Sequence, residues 1–200
     1  MPTPNENAAL LMGIGAPILP AGAAGTNPFA QTVDRAICNG TALTPASGVM
    51  NMTAIWLPGG QTVTGITFVT IGGPTTSTHL WVALYRADLA AADNAGLLAQ
   101  SADDTTGTDA PANTAFRRTL TTPQVLPYTG LYYIGWMQTS GGQNTLMCAV
   151  SQSVNGNGNI TGMTPVLAFT HATVGLTATA PSNLGVRTAV ITQRLYAFVD

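Results

Sequence analysis

The sequence predicts an all-β protein: an antiparallel β-sandwich, jelly-roll-like, preceded by an extended apolar N-terminal arm. Three observations predict it. Short runs rich in Thr, Val, Ile and aromatic residues recur from Val49 onward. Gly, Pro and Asn clusters separate them, as turns separate strands. No stretch has the apolar spacing of a long amphipathic helix. The expected organisation is an arm over residues 1–48 and a sandwich over 49–200.

The arm comes first. Residues 8–25, AALLMGIGAPILPAGAAG, carry no charge. That length raises the question of a membrane span, but Pro17, Pro20 and four glycines oppose a spanning helix. The flank MPTPNEN, with Glu6, lacks the positive region of a signal peptide. A short helix near Ala8–Met12 is compatible with the composition, followed by extended chain. Disordered tails are usually polar, because they have nothing to bury. This one holds Leu10, Leu11, Met12, Ile14, Ile18, Leu19 and Phe29. The expectation is an assembly arm that packs on its own sandwich or on a neighbour's.

Candidate strands follow at 50–57, 62–71, 78–87, 97–101, 115–122, 130–138, 144–151, 165–175 and 187–199. Pro58-Gly59-Gly60, Gly72-Gly73-Pro74, Asp93-Asn94-Ala95-Gly96, Thr129-Gly130, Gly141-Gly142 and 155–159 supply the turns. Residues 86–98 suit either one helical turn or a hairpin loop. In 187–199, Ala189, Ile191, Leu195, Ala197 and Val199 share one face. Thr188, Thr192, Arg194 and Tyr196 share the other, as in a half-buried strand. The runs LWVALY (80–85) and LYYIGWM (131–137) are apolar on both faces. A two-layer sandwich needs one apolar face per strand, so a third layer is expected, from the arm or another subunit. Trp81, Leu84, Leu131, Tyr133, Trp136, Leu195 and Val199 are the expected core. Trp56, Trp81 and Trp136 all sit inside apolar strands, so core packing is expected for all three over exposed stacking on sugar rings.

Charge narrows the function. Only 7% of residues are charged, against about 25% in ordinary domains. There is no lysine; the cations are Arg35, Arg86, Arg117, Arg118, Arg187 and Arg194, and the net charge is −2. A nucleic-acid partner needs a basic stripe to displace counterions, and an anionic membrane surface needs a polybasic segment. Both classes are excluded. Ala, Gly, Pro and Arg have GC-rich codons, so the composition points to a high-GC genome. Cys38 and Cys148 are expected to be free thiols, since two distant cysteines make no framework.

Catalytic signals are missing. His79 and His171 stand apart in sequence, and no CxxC, HExxH, GxSxG, P-loop or dinucleotide fingerprint occurs. Asp103, Asp104 and Asp109 form the only acidic concentration. A calcium loop is one reading; Asx-turn chemistry in a surface loop is the favoured one. The expectation is therefore no catalytic site, no metal and no cofactor.

Five segments carry a family likeness: IWLPGGQTVTGITF (55–68), THLWVALYRADL (78–89), GLLAQSADDT (96–105), TAFRRTLTTPQVLP (114–127) and GLYYIGWM (130–137). Together they resemble β-sandwich modules in virion proteins of tailed phages that infect actinobacteria. The likeness covers about residues 50–140 and consists of turn and strand phrases. It implies a virion structural protein, made in the host cytoplasm. In that setting it would serve as a head-decoration or minor capsid protein, a homo-oligomer with a trimer favoured, against the major capsid protein. The alternative is a minor tail or fibre module binding host-surface glycans through exposed tryptophans. A secreted sugar-binding or hydrolytic domain fits least, lacking a signal peptide and a carboxylate pair.

Overall fold

The computed structural model describes residues 27–38, 42–73, 76–87, 96–106, 111–150, 166–184, 187–190 and 193–200. The strands are β1 (Ala30–Gln31), β2 (Ala42–Leu43), β3 (Asn51–Leu57), β4 (Thr62–Gly72), β5 (Ser77–Arg86), β6 (Gly96–Gln100) and β7 (Thr114–Val125). They continue with β8 (Gly130–Ser140), β9 (Thr145–Val150), β10 (Ala168–His171), β11 (Arg187–Val190), β12 (Gln193–Leu195) and β13 (Ala197–Val199). One 3-10 turn, Arg35–Ile37, is the only helical piece among the described residues; Asp34 caps it by accepting from the Ala36 N–H.

Two antiparallel sheets pack face to face, so the chain is an all-β sandwich. The first sheet runs β1-β13-β4-β9-β12, with β7 on β4 and β2 on β9. The second runs β11-β10-β3-β8-β5-β6. Strand alternation decides what meets between them. Ile55, Leu57, Leu80, Val82, Leu84, Tyr132, Ile134 and Trp136 point from the second sheet toward Ile66, Phe68, Leu146, Leu195, Ala197 and Val199 of the first.

The opposite face of the second sheet is also buried. Met50, Met52, Ala54, Trp81, Ala83, Tyr85, Tyr133 and Phe169 of β10 lie beneath Leu176, Ala180 and Leu184. The two-faced runs at 80–85 and 131–137 are therefore covered by the residues flanking β10, 166–167 and 172–184, of the same chain. This corrects the expectation that the arm or another subunit supplies the layer. Backbone bonds hold the cover down: Leu176 N donates to Gly48 O at 2.9 Å, and Leu97 N donates to Ser182 O at 2.9 Å. The first sheet has a smaller cover, where Val33 and Cys38 pack with Ala149, Tyr196 and Phe198.

Three further differences have physical causes. The run at 187–199 is not one strand. β11 pairs β10 in the second sheet, whereas β12 and β13 pair β9 and β4 in the first. The chain changes sheets there, and Tyr196 is buried under the 33–38 segment rather than facing water. The run at 165–175 keeps only four strand residues, because the rest of that stretch begins the cover. Trp56 is 55% exposed, although every other residue of β3 is buried. It shares the outer face with Met52 and Ala54. Of the expected core, Trp81, Leu84, Tyr133, Trp136, Leu195 and Val199 are fully buried, and Leu131 is half-buried.

Two loops cross where Gly48, at φ +68, turns beneath Gly175. A Cβ at position 48 would stand 3.1 Å from Gly175 Cα. Left-handed backbone costs an L-residue about 1–2 kcal/mol, and the contact is to backbone that cannot swing aside. Gly48→Ala should lower unfolding stability by at least that amount in a urea titration. An unchanged midpoint would mean the crossing is not held this closely.

Candidate functional site

The chemistry-bearing side chains lie on one lateral edge, where β5, β6 and β7 join the two sheets. Ser101 bridges to Leu120, and Thr121 Oγ1 donates to Gln100 O at 2.8 Å. The loop 101–106 then folds against this seam. His79 Nδ1 lies 2.6 Å from Asp103 Oδ2, and the Leu80 N–H donates to Asp103 Oδ1 at 3.1 Å. Arg118 Nη1 donates to Asp104 Oδ2 at 3.0 Å, and its Nη2 donates to Ala102 O at 2.9 Å. Asp104 Oδ1 accepts from both the N–H and the hydroxyl of Thr106, an Asx turn. Burial raises the Asp104 pKa, but the Thr106 and Arg118 bonds outweigh it, so the carboxyl sits below its ordinary value.

A His–Asp pair is two members of a hydrolytic triad, so its surroundings matter. Asp103 is the only hydrogen-bond partner of the His79 imidazole among the described residues. The nearby Ser101 hydroxyl instead accepts from Val82 N and donates to Ala102 O. Among the described residues, no three His, Cys, Asp or Glu side chains are grouped so as to hold a metal ion. Asp109 lies outside the described residues. The arrangement ties a loop to a strand edge, in line with the Asx-turn reading.

His171 closes β10, buried, and its Nδ1 accepts from Thr173 N at 3.0 Å. The two histidines are therefore on different strands of the second sheet with separate partners. Neither cysteine forms a disulfide, as expected. Burial pushes each thiol up to about 11, with Asp34 adding to the effect at Cys38 and Cys38 at Cys148. Neither is a thiolate at neutral pH, so neither is an activated nucleophile.

A second polar cluster closes the first sheet. Arg117 Nε and Nη2 donate to Asp200 Oδ1 and Oδ2 at 2.9 and 2.6 Å, a bidentate pair. Thr64 Oγ1 donates to Asp200 Oδ2 at 2.8 Å, and Arg117 Nη1 donates to Thr119 Oγ1 at 2.7 Å. Charge patterning along the sequence does not reveal this pair, because its members lie in β7 and beyond β13.

The arm meets the sandwich at the edge of the first sheet. β1 lies at the end of that sheet, with Ala30 opposite Val199 and Gln31 opposite Phe198. Thr32 fixes the junction: its hydroxyl donates to Leu195 O at 2.7 Å and accepts from Ala197 N at 3.0 Å. Phe29 packs against the core of its own chain. Leu10, Leu11, Met12, Ile14, Ile18 and Leu19 lie outside the described residues, as does the proposed turn of helix at Ala8–Met12. Residues 30–31 and 42–43, read as arm in sequence, are strands on the sandwich. Among the described residues no helix is long and apolar enough to cross a membrane.

The fold and these sites define a β-sandwich whose described ionic groups mostly brace strands and loops. No family model matches the chain, and no curated protein matches it.

Proposed function

We propose that this protein is a non-enzymatic structural component of a phage virion. Its role is head decoration or minor capsid, attached to the shell of the major capsid protein as a homo-oligomer, with a trimer favoured. The observation that carries the reading is the root of the arm. A two-residue strand, the end of the first sheet among the described residues, follows 29 residues rich in Leu, Ile, Met and Ala. An open edge offers unpaired backbone groups to an added strand. Each large apolar arm residue gains about 1.5–3 kcal/mol on full burial. Ordering the arm costs about 1–2 kcal/mol per residue. The balance favours ordering only where a neighbour adds contacts and backbone hydrogen bonds.

Low charge supports the same reading, since weakly charged surfaces suit wide protein contacts. The five phage-like segments supply the end of β3, much of β4 and β5, β6, β7 and most of β8. A second reading, a tail or fibre module binding host glycans, draws on the 55% exposure of Trp56, whose ring could stack on a sugar.

The test is immunogold labelling of purified particles with antibody raised to this protein, together with deletion of residues 1–26. Label on the head, and truncated protein that melts as before but no longer oligomerises or incorporates, is the expected result. Label at the tail tip transfers the protein to the second reading. Particles without label overturn both.

A further inference from the structure

We propose that His171 is a pH-sensitive latch: it fastens the start of the cover over the second sheet while the imidazole is neutral, and that end loosens when the ring gains a proton. His171 closes β10 and is 6% exposed, and the cover begins at the next residue. Its Nδ1 accepts from the Thr173 N–H at 3.0 Å. The bond turns the chain two residues on, as an Asx side chain would. With Nδ1 as the acceptor, the neutral ring carries its proton on Nε2. Nε2 is buried and meets no acceptor among the described residues. A second proton can enter only at Nδ1. There it meets the Thr173 N–H, donor against donor, and leaves a buried charge without a partner. The closed cover therefore binds one proton fewer at this ring than the opened one, so its hold weakens as pH falls.

No carboxylate from the surrounding elements offsets that charge. Residues 42–50, β3, β8, β10 and the cover beyond β10, 172–184, contain no acid. In β11 the register partner of His171 is Arg187, another cation. His79 of β5 is held by Asp103 at the lateral seam. The rest of the cover is fastened by groups that stay neutral where histidine titrates. Thr139 Oγ1 donates to Leu176 O at 3.1 Å and Trp81 Nε1 to Thr177 O at 2.5 Å. Gln100 Nε2 donates to Ala178 O at 3.1 Å and the Tyr85 hydroxyl to Pro181 O at 2.9 Å. Protonation therefore acts at one end: it frees residues 172–176, which cross Gly48, and leaves 178–184 seated. Met50, whose carbonyl accepts from His171 N, and Met137, whose sulfur accepts from Thr139, are fully buried at this end. The latch thus keeps an apolar patch hidden at neutral pH and offers it in acid.

The experiment is amide hydrogen exchange of the full-length chain, followed by NMR from about pH 8 to about pH 5, where histidine titrates and most carboxylates do not. Expressed as protection factors, Thr173 and Leu176 should lose up to about tenfold per pH unit, the limit for opening coupled to one proton. Ala180, whose N–H donates to Gln100 Oε1, should keep its protection. His171→Asn retains a side-chain acceptor two residues before Thr173 but cannot titrate, so Thr173 and Leu176 should stay protected throughout. His79→Asn should keep the acid response. Ala180 losing protection in step with Thr173 would mean general unfolding in acid and overturn the latch. An undiminished response in His171→Asn, or flat protection in the parent chain, would overturn it as well. If His171→Asn does not fold, the imidazole nitrogen shifts of the parent chain decide. An Nε2–H tautomer that titrates together with Thr173 exchange supports the latch. An Nδ1–H tautomer, or titration that leaves Thr173 unchanged, overturns it.

Discussion

Trp136→Ala should cost about 3–5 kcal/mol, the range for truncating a buried aromatic ring. Trp136 is fully buried at the centre of the space between the sheets. Phe68 of the first sheet meets it edge-on at 5.4 Å between ring centroids, and Phe116 of β7 does so at 6.1 Å. Such pairs contribute beyond the area they bury. The cavity would open between two hydrogen-bonded sheets, which cannot collapse to fill it. The indole Nε1–H has no acceptor among the described residues, so Trp136→Phe should cost much less than the alanine change. Denaturant unfolding of both variants checks this. A loss below about 1 kcal/mol for Trp136→Ala would contradict full burial.

Arg117→Met should destabilise by about 2–4 kcal/mol, somewhat below the usual cost of breaking a buried pair because the arginine keeps partial solvent access. Asp200 has only 6% of its side chain exposed and would lose both guanidinium bonds. The same residue is stitched into β4 by its backbone: Thr64 N and Gly65 N donate to Asp200 O at 2.6 and 3.2 Å. β4 shifts register between Val63 and Gly65, and a Cβ at Gly65 would stand 2.5 Å from the Arg117 guanidinium. Glycine at that position is what lets the arginine lie flat across the strand. Arg117→Lys should recover only part of the loss, since an ammonium cannot make the two parallel bonds. A double-mutant cycle with Asp200→Asn measures the coupling. Additive effects would show that the pair contributes nothing of its own.

Most strands of the sandwich were legible in the sequence. Period-two alternation and glycine-proline turns are local properties, and they located β3 to β9 to within a few residues. The acidic cluster was also legible as a turn, because Asp104 bonds to Thr106 two residues away. β1 and β2 were not, because two-residue strands have no periodicity to read. They exist through pairing with β13 and β9, more than a hundred residues distant in each case.

The sequence by itself determined that this chain forms paired strands, that two of its runs are buried on both faces, and that the arm is apolar with a single charge. Tertiary structure decided what covers each face. Alternation assigns side chains to two faces but does not say which face meets protein, so Trp56 and Met52 read alike although one is exposed and the other buried. Residues 172–184 carry no signal that they lie over the second sheet; that placement follows from the crossing of Gly48 and Gly175 and from the bonds of Leu97 and Leu176. The break of 187–199 into three strands was hidden for the same reason. A chain that changes sheets keeps its alternation while its hydrogen-bond partners change, and partners are a long-range property.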